Sequence, residues 1–192
     1  ILVMANTCTT DYIFEGECTQ IRALHIELDT LRKAEPKSKE GSYVEPSNWL
    51  GNIVKKMLGE DPAKISCRGE FNLQEIDNCP YDDEKLTLSL STSTAWSPCN
   101  EIFEKLAEKY DCSLYWIAEE FGLGLFQTND SEEKYFGDDN IVVEVYGHGI
   151  EYFSSEEDAV SYVVGMTGNP NITFDELEDL DDVFVTKLEY VS

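Results

Sequence analysis

Glu119 and Glu120 stand together at the end of an aromatic run, Leu114-Tyr115-Trp116-Ile117-Ala118, directly before Phe121-Gly122-Leu123-Gly124. Two carboxylates flanking a bond can divide acid and base roles in hydrolysis. Adjacent residues of a strand point to opposite faces, however, which separates this pair, and a solvated strand end is the competing reading. The two histidines are His25, between Leu24 and Ile26, and His148, between two glycines. Either could act as base for a cysteine such as Cys99, which sits at an expected helix start where the dipole lowers a thiol pKa. No local signature joins them. The acid clusters Asp130-Ser131-Glu132-Glu133 and Asp138-Asp139-Asn140 lack the spacing of a calcium loop. The six cysteines, at 8, 18, 67, 79, 99 and 112, contain no C-x-x-C pair, so a zinc site is not expected. Gly122-x-Gly124 has no strand-to-helix context and reads as a hairpin device, not a nucleotide fingerprint. No cofactor is expected.

These residues must be positioned by the elements around them, and the stretch Lys85–Asn129 is the most legible. Leu86, Leu88 and Leu90 alternate with Thr87, Ser89 and Ser91, the period of a strand with one buried face. Trp96-Ser97-Pro98 stops it, with Ser97 expected as N-cap and Pro98 as first helical residue. Ile102, Phe103, Leu106 and Tyr110 recur at helical spacing. Residues 113–118 form the next strand, and the glycines turn the chain into another. Upstream, Cys8, Tyr12 and Phe14 alternate as a strand, and Ile21, Leu24, Leu28 and Leu31 form one stripe of a helix over 18–32. Residues 34–46 are a polar linker. Ser47 caps a short helix ended by Gly59, Ile65 to Phe71 alternate as a strand, and residues 74–84 form a loop.

The order strand, helix, extra helix, strand, strand, helix, strand predicts an α+β, ferredoxin-like antiparallel sheet with its helices on one face. No iron–sulfur cysteine spacing accompanies it. The segment Thr94-Ala95-Trp96-Ser97-Pro98-Cys99-Asn100 and the helix after it carry a resemblance, together with the Glu-Glu pair and the Gly-x-Gly hairpin ending in Thr128-Asn129. So do the start Met4-Ala5-Asn6-Thr7-Cys8, the middle Asn48-Trp49-Leu50-Gly51-Asn52, and Cys67-Arg68-Gly69. Over roughly residues 4–136 the chain resembles the YubB ferredoxin-like family. That resemblance implies a plasmid, phage or mobile-element protein of a family without an established activity.

The chain has 192 residues, enough for one domain or a domain with a small lobe, and 42% apolar content argues against disorder. No apolar run is long enough to span a membrane. Ile1-Leu2-Val3 is too short for a signal core and is read as a cloning remnant. With no signal visible, a cytoplasmic protein with six free thiols is expected, and the sequon Asn171-Ile172-Thr173 is then irrelevant. Net charge is -25, and it is uneven. Residues 1–64 hold ten acids and eight bases, 65–129 twelve and four, and 130–192 seventeen and two.

The division expected is a ferredoxin-like domain over 4–129 and an acidic α/β extension over 130–192, packed on the same core. In the extension, 141–146 and 150–153 form a hairpin. Ser154 and Glu157 make a capping box, Thr173 and Glu176 a second one, and an edge strand closes the chain.

Ferredoxin-like sheets can stack RNA on their open face, where Tyr115 could sit. Fourteen bases against thirty-nine acids would repel phosphate, so direct nucleic-acid binding is not expected. The leading expectation is a non-enzymatic acidic interaction module. It would bind a basic host or mobile-element protein as a mimic of DNA, through Asp175, Glu176, Glu178, Asp179, Asp181 and Asp182. The alternative is an enzyme with its site near Glu119, Glu120 and the glycine hairpin. Acidity serving solubility alone is a third reading. The tryptophans Trp96 and Trp116 are expected to be buried, flanking the helix between them.

Overall fold

A computed structural model describes residues 6–35, 45–74, 76 and 85–191. Most of the 34–46 linker, nearly all of the 74–84 loop, and Cys79 lie outside the described residues. The chain divides into two compact units, residues 1–120 and 121–192.

The first unit runs β1 (Thr7–Glu17), α1 (Cys18–Arg32), α2 (Leu50–Ile53) continued by a π turn (Val54–Leu58), β2 (Gly69–Leu73), β3 (Lys85–Ala95), α3 (Asn100–Lys109) and β4 (Ser113–Glu120). Its strands lie in the order β2-β3-β1-β4, and every pairing is antiparallel. This is the ferredoxin-like arrangement.

Alternation decides which sheet face is covered. Cys8, Thr10, Tyr12 and Phe14 of β1 are buried, with Leu88, Leu90, Thr92 and Thr94 of β3 and Trp116, Ala118 and Glu120 of β4. Register brings them together: Tyr12 lies opposite both Leu90 and Trp116. Phe103 of α3 stacks on Tyr12 at 4.0 Å between ring centroids and lies 6.4 Å from Phe14. The stripe Ile21, Leu24, Leu28 and Leu31 buries α1 on the same layer. Each such side chain contributes about 1.5–3 kcal/mol. The opposite face carries Thr9, Asp11, Ser91, Ser93, Tyr115, Ile117 and Glu119, exposed or half-exposed, so the helices share one face.

Three local expectations change. The helix after Trp96 starts at Asn100 with Cys99 in the cap position, not at Ser97-Pro98. Thr94 donates its hydroxyl to the Ser97 carbonyl at 2.8 Å, which holds Ser97 in a bend and delays the helix. Ser47 does not cap α2; its hydroxyl donates to the Arg32 carbonyl at 2.6 Å, and Trp49 occupies the cap position. Ile65 and Cys67 are buried but precede β2. Gly59 ends the helical segment as expected, at φ 72, a left-handed value glycine adopts freely.

The second unit contains a 3-10 turn (Phe121–Leu123), β5 (Leu125–Thr128), β6 (Ile141–Val145), β7 (Gly149–Phe153), α4 (Glu156–Thr167), a 3-10 helix (Phe174–Asp179), β8 (Val183–Lys187) and β9 (Glu189–Tyr190). β5 pairs in parallel with β9, which draws residues 121–129 into this unit. A separate three-stranded sheet has the order β7-β6-β8. The unit has a core of its own: Ile141, Val143 and Val145 pack with Ala159 and Val163 of α4, Ile172, Leu177 and Val183. The capping box of Thr173 and Glu176 is present. The cap of α4 is one residue later than read, at Ser155, whose hydroxyl accepts from the Asp158 amide at 3.2 Å. Among the described residues, no helix is long and apolar enough to cross a membrane.

Candidate functional site

The carboxylates of the alternative site do not converge. β4 presents Glu119 on the open face, opposite Thr9, whereas Glu120 is buried on the helix-covered face. Strand alternation forbids them a shared substrate position. Cys99, the other candidate, is buried in the cap position of α3. Burial pushes the Cys99 thiol up, an effect larger than the hydrogen bonds from Ser66 and the Arg68 backbone that oppose it. A thiol so placed is a poor nucleophile. Cys8, Cys67 and Cys112 are likewise raised by burial, Cys112 to about 11. All five described cysteines are free thiols. Among the described residues, no group of three or more histidines, cysteines or acids is arranged to hold a metal ion.

The six acids of the leading reading all lie in the second unit. Asp175, Glu176, Glu178 and Asp179 lie on the 3-10 helix, and Asp181 and Asp182 lead into β8; all six are exposed. Leu177 and Val183, buried between and after them, anchor the segment to the core. Glu176 differs from the rest. Its Oε2 accepts from the Thr173 amide at 2.9 Å and from the Thr173 hydroxyl at 2.8 Å. Those bonds hold its carboxyl below the usual range. Part of its charge is thus spent on capping the helix. The Asp182 carbonyl accepts from the Tyr146 amide at 2.8 Å, which ties the end of the acidic segment to β6.

The outer face of the β7-β6-β8 sheet, which Asp181 and Asp182 approach where they lead into β8, has no counterpart among the sequence expectations. Register places Ile150, Glu144 and Phe184 in one row across the three strands, and Tyr152, Val142 and Thr186 in the next. Val142 is buried, and Tyr152 meets Phe121 and Phe126 edge-on at 6.3 Å each. The first row stays open: Phe184 is 61% exposed and Ile150 39%, and Tyr146, in the turn directly after β6, is 78% exposed. The available signal was Phe184 between Val183 and Val185 in the closing strand, where alternation puts it on the face opposite theirs.

Two further features escaped the sequence. Asp130, read as part of a solvated loop, is only 1% exposed. Its Oδ2 accepts from the amides of Tyr135 and Phe136 at 2.6 and 2.9 Å, so the carboxylate organises the loop from inside. Trp116 is buried as expected, but Trp96 is 39% exposed and adopts φ 76, a region an L residue rarely takes. Its amide donates to the Asn6 carbonyl at 3.0 Å. Beside it, Asn6, Thr7, Arg68, Gly69 and Ser93 line a shallow cleft of about 300 Å³. Tyr115 is half-exposed on the open face, where a stacking residue would sit, with Asp11 and Glu119 on the same face.

No curated protein matches the chain. Residues 74–157, from the approach to β3 into the start of α4, match a family model described as a ferredoxin-like domain in Api92-like protein, in agreement with the fold.

Proposed function

We propose that this chain is a non-enzymatic interaction module. Its acidic second unit captures a basic, nucleic-acid-binding protein by presenting carboxylates where that protein expects phosphates. The mobile-element setting implied by the YubB resemblance belongs to this proposal. One observation carries it: seventeen acids and two bases fall in residues 121–192, and that segment has its own apolar core. Carboxylates fixed on a packed scaffold project a lasting negative potential, whereas a disordered acidic tail averages it away. Such a field raises encounter rates with a basic partner and selects against acidic ones.

The test immobilises the chain and challenges it with purified DNA-binding proteins of several folds. At least one should be retained and then released by duplex DNA. Replacement of Asp175, Glu176, Glu178, Asp179, Asp181 and Asp182 by Asn or Gln should lower that retention about tenfold or more. Retention that duplex DNA does not compete, or that survives the neutralisation, contradicts the proposal.

A further inference from the structure

We infer that the contact surface of this acidic module is the outer face of the β7-β6-β8 sheet, centred on Phe184, Ile150 and Tyr146. Its occupant is a protein segment that presents apolar side chains between lysines or arginines. The inference rests on the acidic-module reading and adds a specificity element to it. Cross-strand partners share a face, so Ile150, Glu144 and Phe184 lie side by side. The exposure of Phe184 and Tyr146 is large for aromatic side chains on a small unit that buries Leu177 and Val143 completely. Glu144 stands within the row, and Asp181 and Asp182 border it where β8 begins.

An apolar centre with carboxylates in its row and at one edge has the composition of a protein-binding hot spot, where aromatics supply the affinity and rim charges the steering. The sign of the rim fixes the sign of the partner, and the aromatic centre fixes its apolar content. A nucleic-acid backbone offers no counterpart to that centre. A surface that only mimicked phosphates would therefore gain nothing from Phe184, whereas a basic segment with interleaved leucines would bury it.

The experiment titrates two labelled peptides of equal charge into the full chain at fixed salt, one of lysine and glycine, the other of lysine and leucine. The lysine–leucine peptide should bind about tenfold more tightly, as hot-spot burial implies. Phe184→Ser and Tyr146→Ser should each remove most of that ratio and leave the lysine–glycine affinity unchanged. Both side chains are well exposed, so the variants should fold, which circular dichroism checks. Equal affinity for the two peptides, or a ratio that survives both substitutions, overturns the inference. Neutralising the six acids distinguishes the two possible failures. If both peptides weaken while the ratio is already one, only the inference fails; if neither weakens, the acidic-module reading fails and takes the inference with it.

Discussion

Asp130 shows how much one residue can determine in so acidic a unit. Its carboxylate is buried and accepts two backbone N–H groups, and its own amide donates to the Thr128 hydroxyl at 3.1 Å. Asp130→Ala should destabilise the protein by about 2–3 kcal/mol in chemical denaturation, because the Tyr135 and Phe136 amides lose a charged acceptor. Glu176 offers a pH-dependent test. Its folded pKa is depressed by the Thr173 bonds, so the capping stability is present above the unfolded value and lost as pH falls through the folded one. Thr173→Ala removes one of the two donors and should move the Glu176 titration, followed by NMR, part of the way back up.

At the scale of elements, most of the fold was legible because its signals are local. α1 occupies the range that its apolar stripe predicts, and the order of strands and helices follows from strand alternation and helical spacing. The misplaced features depend on distant partners. Trp96 takes a left-handed backbone where its amide meets Asn6, and the start of α3 is set by the Thr94 hydroxyl. The acids of the candidate site were visible as composition, but the open Phe184 row needed the β6–β8 register, which no local pattern encodes. The two cores give a matched pair of predictions. Phe103→Ala, which removes the ring stacked on Tyr12, should cost about 3–5 kcal/mol; Leu177→Ala should cost about 2–5 kcal/mol and deprotect β6 and α4 in hydrogen exchange.

For the whole molecule the governing fact is the asymmetry of charge. The ferredoxin-like unit carries most of the resemblance motifs and nearly all of the basic residues, and the second unit carries the larger share of the negative excess on a packed scaffold. An acidity serving only solubility would be indifferent to which carboxylates are kept, whereas a recognition surface would depend on those it presents together. The most direct measurement is the salt dependence of association between the chain and a captured DNA-binding protein, from about 0.05 to about 0.5 M salt. Parent and variant neutralised at Asp175, Glu176, Glu178, Asp179, Asp181 and Asp182 are compared. The account predicts a steep loss of affinity with salt for the parent and a weaker, flatter dependence for the variant; coincident curves would contradict it.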